Sequence, residues 1–146
     1  MIAHTIQLAL APVFMLVAMG NILNILSTRL GRIVDRARFL QGRHSQTEGS
    51  DHDMIVTEIR AIDQRIGLIA KAMRLLVLSG LMVGMTVAVL FLEEMAGYPL
   101  ELVAAGFFLI AIGLIMGGLT LFLHETQIAA GTLRIPRDFL ELHRDI

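Results

Sequence analysis

The stretch LALAPVFMLVAMGNILNILSTRLGRIVDRARFLQ, residues 8–41, changes character along its length. It begins as an apolar run, becomes polar from Asn21 to Thr28, and ends in a basic segment that starts at Arg29. Within this stretch no proline follows Pro12, and no turn signal precedes Gly42. The pattern predicts one helix that crosses a membrane and continues into the cytoplasm.

Two further apolar segments follow in the chain of 146 residues, which is long enough for one domain. Spanning the roughly 30 Å of hydrocarbon takes about 20 residues, and three segments qualify, at about 8–28, 75–92 and 102–123. We therefore expect an all-α membrane protein with three transmembrane helices in a single membrane domain, residues 1–146.

The positive charges predict the orientation of these spans. Nine of the 12 Lys and Arg residues lie between Arg29 and Arg74, and the other three lie in the tail at 124–146. The loop at 93–101 between the second and third spans has none and is acidic. Because positive loops stay in the cytoplasm, we expect the N-terminus outside, the C-terminus inside, and the segment 29–73 in the cytoplasm.

Segment 29–73 has the periodicity of a helical hairpin with coiled-coil character. Apolar residues recur in alternating steps of three and four, as in an a/d seam. The first arm offers Leu26, Leu30, Ile33, Ala37 and Leu40, and the second arm offers Ile55, Ile59, Ile62, Ile66, Ile69 and Met73. The seams can pair within one chain as an antiparallel pair or between subunits, and the sequence does not decide between the two.

Spans two and three are rich in small residues, which let helices approach closely in lipid. Gly80, Gly84 and Ala88 recur every fourth residue, and Gly113 and Gly117 do the same. The hydroxyls of Ser79, Thr86 and Thr120 are expected to bond back to their own helices. We interpret these two spans as a scaffold.

The most informative polar feature is a stripe along the first helix that turns more polar toward the cytoplasm. Asn21 and Asn24 lie in a membrane span, where amides are costly unless they meet water or a partner. Several copies of the chain around an axis would make the stripe the lining of a pore, and the alternative is that both Asn bond to another helix. The expected pore-lining residues are Gln7, Phe14, Val17, Asn21, Asn24, Thr28, Gly31, Asp35 and Arg38.

The charged residues near the ends of the spans allow several interpretations. Arg29, Arg32 and Arg36 can contact anionic lipid headgroups, form an anion-attracting vestibule, or merely set the topology. Asp35 lies three residues from both Arg32 and Arg38, so we expect part of this charge to be paired along the helix. The outer acids can concentrate cations at a pore mouth or lie solvated in the loop; they are Glu93, Glu94 and Glu101.

Other functions find little support in the sequence. The motif HETQI has Ile128 where a zinc protease needs its second His, and no nucleophile triad or phosphate loop occurs, so we expect no enzyme, no cofactor and no metal. The basic segment from Arg29 to Arg38 lacks interleaved aromatics, which argues against nucleic acid. Glu125, at the end of the third span, is expected to pair with Lys71 or Arg74.

Two motifs resemble a known family. APVFML from Ala11 and RLGRIVDRAR from Arg29 are similar to the signature of a bacterial membrane-protein family catalogued as domain of unknown function 2721. The resemblance covers nearly the whole chain, and it implies a multi-pass protein of the bacterial inner membrane without implying a reaction or ligand. In architecture the polar-faced first helix is also similar to calcium-release-activated channels.

These observations lead to two hypotheses. The first is a homo-oligomeric ion channel or pore that leans toward cations, with the first helix lining the conduit and Asn21 and Asn24 as the constriction. The second is a non-conducting membrane scaffold or sensor whose cytoplasmic hairpin binds a partner. The expected partners are the lipid bilayer, further copies of the chain, and ions.

Overall fold

The computed structural model describes residues 2–132. These residues form three α-helices and contain no strand: α1 Ile2–His44, α2 Ser50–Ala96 and α3 Glu101–Thr132. The expected single helix through residues 8–41 is confirmed, since α1 runs unbroken over 43 residues. The second arm of the hairpin and the second span are likewise one continuous helix, α2.

The helix ends follow from local chemistry. Gly49, before α2, has a φ of 71°, a left-handed conformation that favours glycine. Asp51 and Asp53 lie in the first turn of α2 and suit its dipole, but neither caps it through its side chain. Gly97 closes α2 in the αL conformation, where its N–H bonds to the Glu93 carbonyl at 2.9 Å.

The two seams of α1 and α2 pack on each other within one chain. Buried side chains recur every seventh residue of α1 from Thr5 through Leu26 to Leu40. Leu26, Ile33 and Leu40 share one apolar cluster with Ile62 and Ile69 of α2. Within the single chain the two seams therefore form an antiparallel pair, one of the two arrangements that the sequence allowed.

A second column of α2, also with a spacing of seven, packs against α3. It is formed by Arg65, Ala72, Ser79 and Thr86, and it faces the column Glu125, Gly118, Ala111 and Ala104 of the antiparallel helix α3. Three contacts establish this register: Arg65 bonds to Glu125, the Ala72 carbonyl lies against Gly118, and Ser79 bonds to Ala111. α2 is thus the central helix, with α1 and α3 on two of its faces.

Small residues are used at some of the predicted positions. A methyl group built on Gly118 would lie 3.1 Å from Leu76 and 3.3 Å from the Ala72 carbonyl oxygen, and one on Gly80 would lie 3.1 Å from Met19. Gly84, Gly106 and Gly113 have no neighbour within 4 Å at that point. The close approach is therefore confined to particular glycines of the two spans.

The outside of the helices is strongly apolar. All three are long and apolar enough to cross a membrane, and only 17% of the most apolar 18 residues is buried in α1 and in α3. Exposed apolar surface of this extent needs lipid or a partner to cover it. The chain therefore has the architecture of a membrane protein.

Candidate functional site: a buried carboxylate and the polar face of the first helix

Glu125 of α3 is the most deeply buried charged side chain of the described residues, with no exposed surface. Its Oε2 accepts a hydrogen bond from Nη2 of Arg29 on α1 at 2.7 Å, and its Oε1 accepts one from Nε of Arg65 on α2 at 3.0 Å. The two arginine side chains are 31% and 20% exposed. One carboxylate therefore holds a cation from each of the other two helices.

The expected pairing of Glu125 with Lys71 or Arg74 is wrong. Both bases are exposed and form no ion pair within residues 2–132, because each lies two residues from the buried seam positions Ile69 and Leu76, on the outer face of α2. Arg65 belongs instead to the column that faces α3. The sequence did carry a signal, since Glu125 follows Ala104, Ala111 and Gly118 at intervals of seven and so ends a column of small, buried residues.

A net positive charge results where the three helices meet. Glu125 supplies one negative charge against the two guanidinium groups of Arg29 and Arg65. The guanidinium of Arg29 also lies 5.4 Å from the ring centroid of Phe122, a cation–π contact. Its Nε is buried and has no hydrogen-bond partner among the described residues.

The other basic residues of α1 divide between two flanks. Arg36 donates from Nε to Oε1 of Glu58 on α2 at 2.8 Å, and that carboxylate raises the pKa of Arg36 above its ordinary value. Arg32 forms no ion pair with a carboxylate of residues 2–132. The expected pairing of Asp35 with Arg32 or Arg38 is wrong, because Asp35 is exposed and forms no ion pair within the described part of the chain. Arg38 lies on the outer flank, where it is exposed.

The predicted pore-lining stripe lies on the outer face of α1, away from α2. All nine of its residues are exposed in the single chain; they are Gln7, Phe14, Val17, Asn21, Asn24, Thr28, Gly31, Asp35 and Arg38. The Thr28 hydroxyl bonds to the Asn24 carbonyl of its own helix at 3.0 Å. No side chain of this stripe bonds to α2 or α3 within residues 2–132, so the described part of the chain does not supply the alternative partner for the two Asn.

The register of α1 against α2 gives the depth of the Asn pair. Three contacts define this register: Thr5 bonds to Glu94, Met19 packs against Gly80, and Arg36 bonds to Glu58. Asn21 and Asn24 then lie within about one helical turn of the level of Arg74 and Lys71. Because Arg74 and Glu93 are separated by about 28 Å of helix, the Asn pair lies near one end of the apolar slab and not at its middle.

The three acids of the predicted outer mouth lie at the other end of the bundle. Thr5 donates from its hydroxyl to Oε2 of Glu94 at 3.1 Å, which joins the start of α1 to the end of α2. Glu93 is half-buried, and Glu101 is exposed in the first turn of α3. The fold thus brings all three acids to the end where α1 begins.

Two side chains that flank the turn between α1 and α2 also meet. The rings of His44 and His52 have centroids 4.5 Å apart and are tilted by 56°. Among the described residues, no group of three His, Asp or Glu side chains is placed to hold a metal ion.

The hydroxyls of the spans behave as expected in two cases out of three. Thr86 and Thr120 bond to carbonyls of their own helices, Met82 and Met116. The expectation for Ser79 is wrong, because its Oγ donates to the Ala111 carbonyl of α3 at 2.7 Å. Its column faces α3 so closely that the neighbouring backbone comes within reach.

Comparison with known families gives one match. Residues 9–135 match the family model described as a protein of unknown function, DUF2721. The chain belongs to this family. No curated protein and no solved structure matches it. Of the tail at 124–146, the part through Thr132 belongs to α3 of this DUF2721 protein, and the rest lies outside the described residues.

Proposed function

We propose that this DUF2721 protein is a homo-oligomeric ion channel of the bacterial inner membrane, with the outer face of α1 lining the conduit. The observation that carries the proposal is the exposed polar stripe of α1, whose amides have no partner on α2 or α3 within residues 2–132. An amide without a hydrogen-bond partner costs on the order of 2–7 kcal/mol in hydrocarbon, and less toward the edge of the slab, where headgroups and water are within reach. A water-filled path between several copies of α1 removes that cost.

The topology of the proposal follows the charge asymmetry. The N-terminus and the loop at 93–101 lie outside, and the long polar part of the α1–α2 pair, together with the C-terminus, lies in the cytoplasm. About 30 Å of hydrocarbon covers less than half of α2, which is about 70 Å long for its 47 residues. The Asn pair then forms a constriction near the cytoplasmic end of the conduit, with Thr28, Asp35 and Arg38 below it.

A preference for cations rests on the acids at the outer end. Glu93, Glu94 and Glu101 converge where α1 begins, and a ring of carboxylates from several copies attracts cations. Arg38, on the polar stripe of α1, would repel cations, but Asp35 lies three residues before it on that stripe and carries the opposite charge. Selectivity is therefore assigned to the outer end, and the narrowing to the Asn pair.

The test is ion flux through the purified protein in lipid vesicles. The double variant Asn21→Leu, Asn24→Leu is expected to reduce flux of a monovalent cation at least tenfold. The matched control is Thr120→Leu, which changes another exposed polar residue of a span to Leu, at a site where the hydroxyl serves its own helix. No flux from the unaltered protein, or equal flux from the double variant and the unaltered protein, would overturn the proposal.

The scaffold or sensor is the second candidate, and one observation favours it. The α1–α2 pair continues well beyond the apolar slab, and the face of α2 turned away from its seam is mostly exposed: Arg60, Asp63 and Gly67 are exposed and Val56 and Ala70 are half-buried. A partner protein can bind there without any conduit. Substitution of Arg60 and Asp63 by Ala should then abolish capture of the partner and leave vesicle flux at the level of empty vesicles.

A further inference from the structure

Two grooves lie along one flank of α1: the polar groove is formed mainly by α1 and α2 beside the end of α3, and the apolar groove is formed by α1 and α3. The polar groove has a volume of about 1060 Å³. It lies beside the end of α3, and its lining includes Arg32, Arg36, Glu58, Arg65 and Thr132. The apolar groove has a volume of about 180 Å³ and lies within the apolar slab; its lining includes Met15, Met19, Ile22, Ile112, Ile115 and Met116.

The polar groove carries excess positive charge at the end nearest the apolar slab. Arg65 shares the single charge of Glu125 with Arg29, and Arg32 is unpaired within residues 2–132. The other two acids of the lining do not offset this excess: Glu58 is taken by Arg36, and Asp53 lies about 18 Å along α2 from Arg65. Arg32 therefore has no carboxylate partner among residues 2–132, and Arg65 keeps its terminal Nη groups for an anion, since its hydrogen bond to Glu125 is made from Nε.

The apolar groove continues the same flank into the membrane region. Its lining consists of apolar side chains from α1 and α3 and exposes no polar surface. Ile22 lies seven residues from Arg29, which corresponds to about 10 Å along α1. Between the grooves, Arg29 lies over Phe122 and reaches Glu125. A molecule that placed an acyl chain in the apolar groove and an anionic group in the polar groove would thus have the dimensions of a phospholipid.

We propose that this flank binds one anionic phospholipid, with its phosphate at Arg32 and Arg65 and an acyl chain in the apolar groove. The inference rests on the membrane embedding of the helices but not on conduction. It also assigns different partners to the arginines of α1: Arg29 and Arg36 bind carboxylates of the protein, and Arg32 binds the lipid. Each such charge near the membrane surface is worth about a fivefold change in affinity.

The head of the site is tested with purified full-length protein in a neutral detergent. Binding of phosphatidylglycerol and of phosphatidylcholine is counted by native mass spectrometry for Arg32→Gln and for Arg38→Gln. Both variants remove one exposed charge from α1, on different flanks. Arg32→Gln is expected to weaken phosphatidylglycerol binding about fivefold or more, and Arg38→Gln to leave it unchanged. Equal weakening by both variants, or equal binding of the two lipids, overturns the proposal.

The tail of the site separates a lipid from a free anion. Ile112 lines the apolar groove, whereas Ile110, also exposed on α3, does not. Ile112→Trp fills the groove and should weaken phosphatidylglycerol binding, while Ile110→Trp should not. Inorganic phosphate in millimolar excess should displace little lipid. Full displacement by phosphate together with no effect of Ile112→Trp would show a site for free anions, and the lipid assignment would fail even if the protein conducts ions.

Discussion

Arg29 of α1 and Glu125 of α3 lie 2.7 Å apart, at the one level where the described helices place a buried charge between all three. α1 and α3 each pack mainly on α2, so this bridge, with the contact of Arg29 on Phe122, ties the outer helices to each other. Arg65 completes the link from α2. A change at this point therefore affects the relative position of all three helices.

Glu125→Gln is expected to lower the free energy of unfolding by about 3–5 kcal/mol, because it leaves two guanidinium groups beside a buried amide that carries no charge. The measurement is reversible unfolding in mixed detergent micelles. Glu58→Gln is the matched control: its pair with Arg36 is 38% and 51% exposed, and exposed pairs contribute about 0–1 kcal/mol. Equal losses in the two variants would contradict the assigned role of Glu125.

Much of the fold could be predicted from the sequence, because its signals are local. The seam that ends at Leu40 and the length of α1 depend on spacing within one helix. The partners of Glu125 and of Ser79 could not be predicted, because they depend on the register between α2 and α3. If α3 were shifted along α2 by one turn, both residues would face different partners. The outward direction of Asn21 and Asn24 follows from helix periodicity, and nothing in residues 2–132 covers them.

Gly118→Val should destabilise the protein by about 1–3 kcal/mol, the usual cost of overpacking a close contact. Its added Cβ would meet Leu76 at 3.1 Å and the Ala72 carbonyl at 3.3 Å, and that carbonyl belongs to a backbone that cannot move aside freely. Gly113→Val, on the same helix with open space around it, is the control and should stay within about 0.5 kcal/mol. The same micelle assay compares the two, and a costly Gly113→Val with a neutral Gly118→Val would contradict the packing of α2 on α3.

Ser79→Ala should cost about 1 kcal/mol, the range found for hydrogen bonds between membrane helices. Its hydroxyl joins α2 to the Ala111 carbonyl of α3 while buried. Thr86→Val removes a hydroxyl that serves its own helix, so it should cost clearly less. If both variants lose the same stability, the bond from Ser79 adds nothing to the association of the helices.

The proposed topology predicts the labelling of single cysteines, which are easily introduced because the chain has no Cys. A thiol at Tyr98, in the loop before α3, should react with a membrane-impermeant maleimide added outside intact spheroplasts. A thiol at Ser45, in the turn after α1, should react only after the membrane is made permeable. Both positions are exposed, so the difference reports the side of the membrane. Labelling of Ser45→Cys in intact spheroplasts would reverse the orientation.

The proposed conduit predicts that copies of α1 approach one another along their outer faces. A single cysteine at Asn24 should form a cross-linked dimer with a short bifunctional thiol reagent in native membranes, because residues around a pore axis are close to their own symmetry mates. A cysteine at Thr120 is the control, since it is exposed on α3, which the proposal places in the outer wall. Efficient cross-linking from Thr120→Cys and none from Asn24→Cys would place α3 at the axis. The polar stripe of α1 would then face lipid or an unrelated partner, and the assignment of Asn21 and Asn24 as the constriction would be lost.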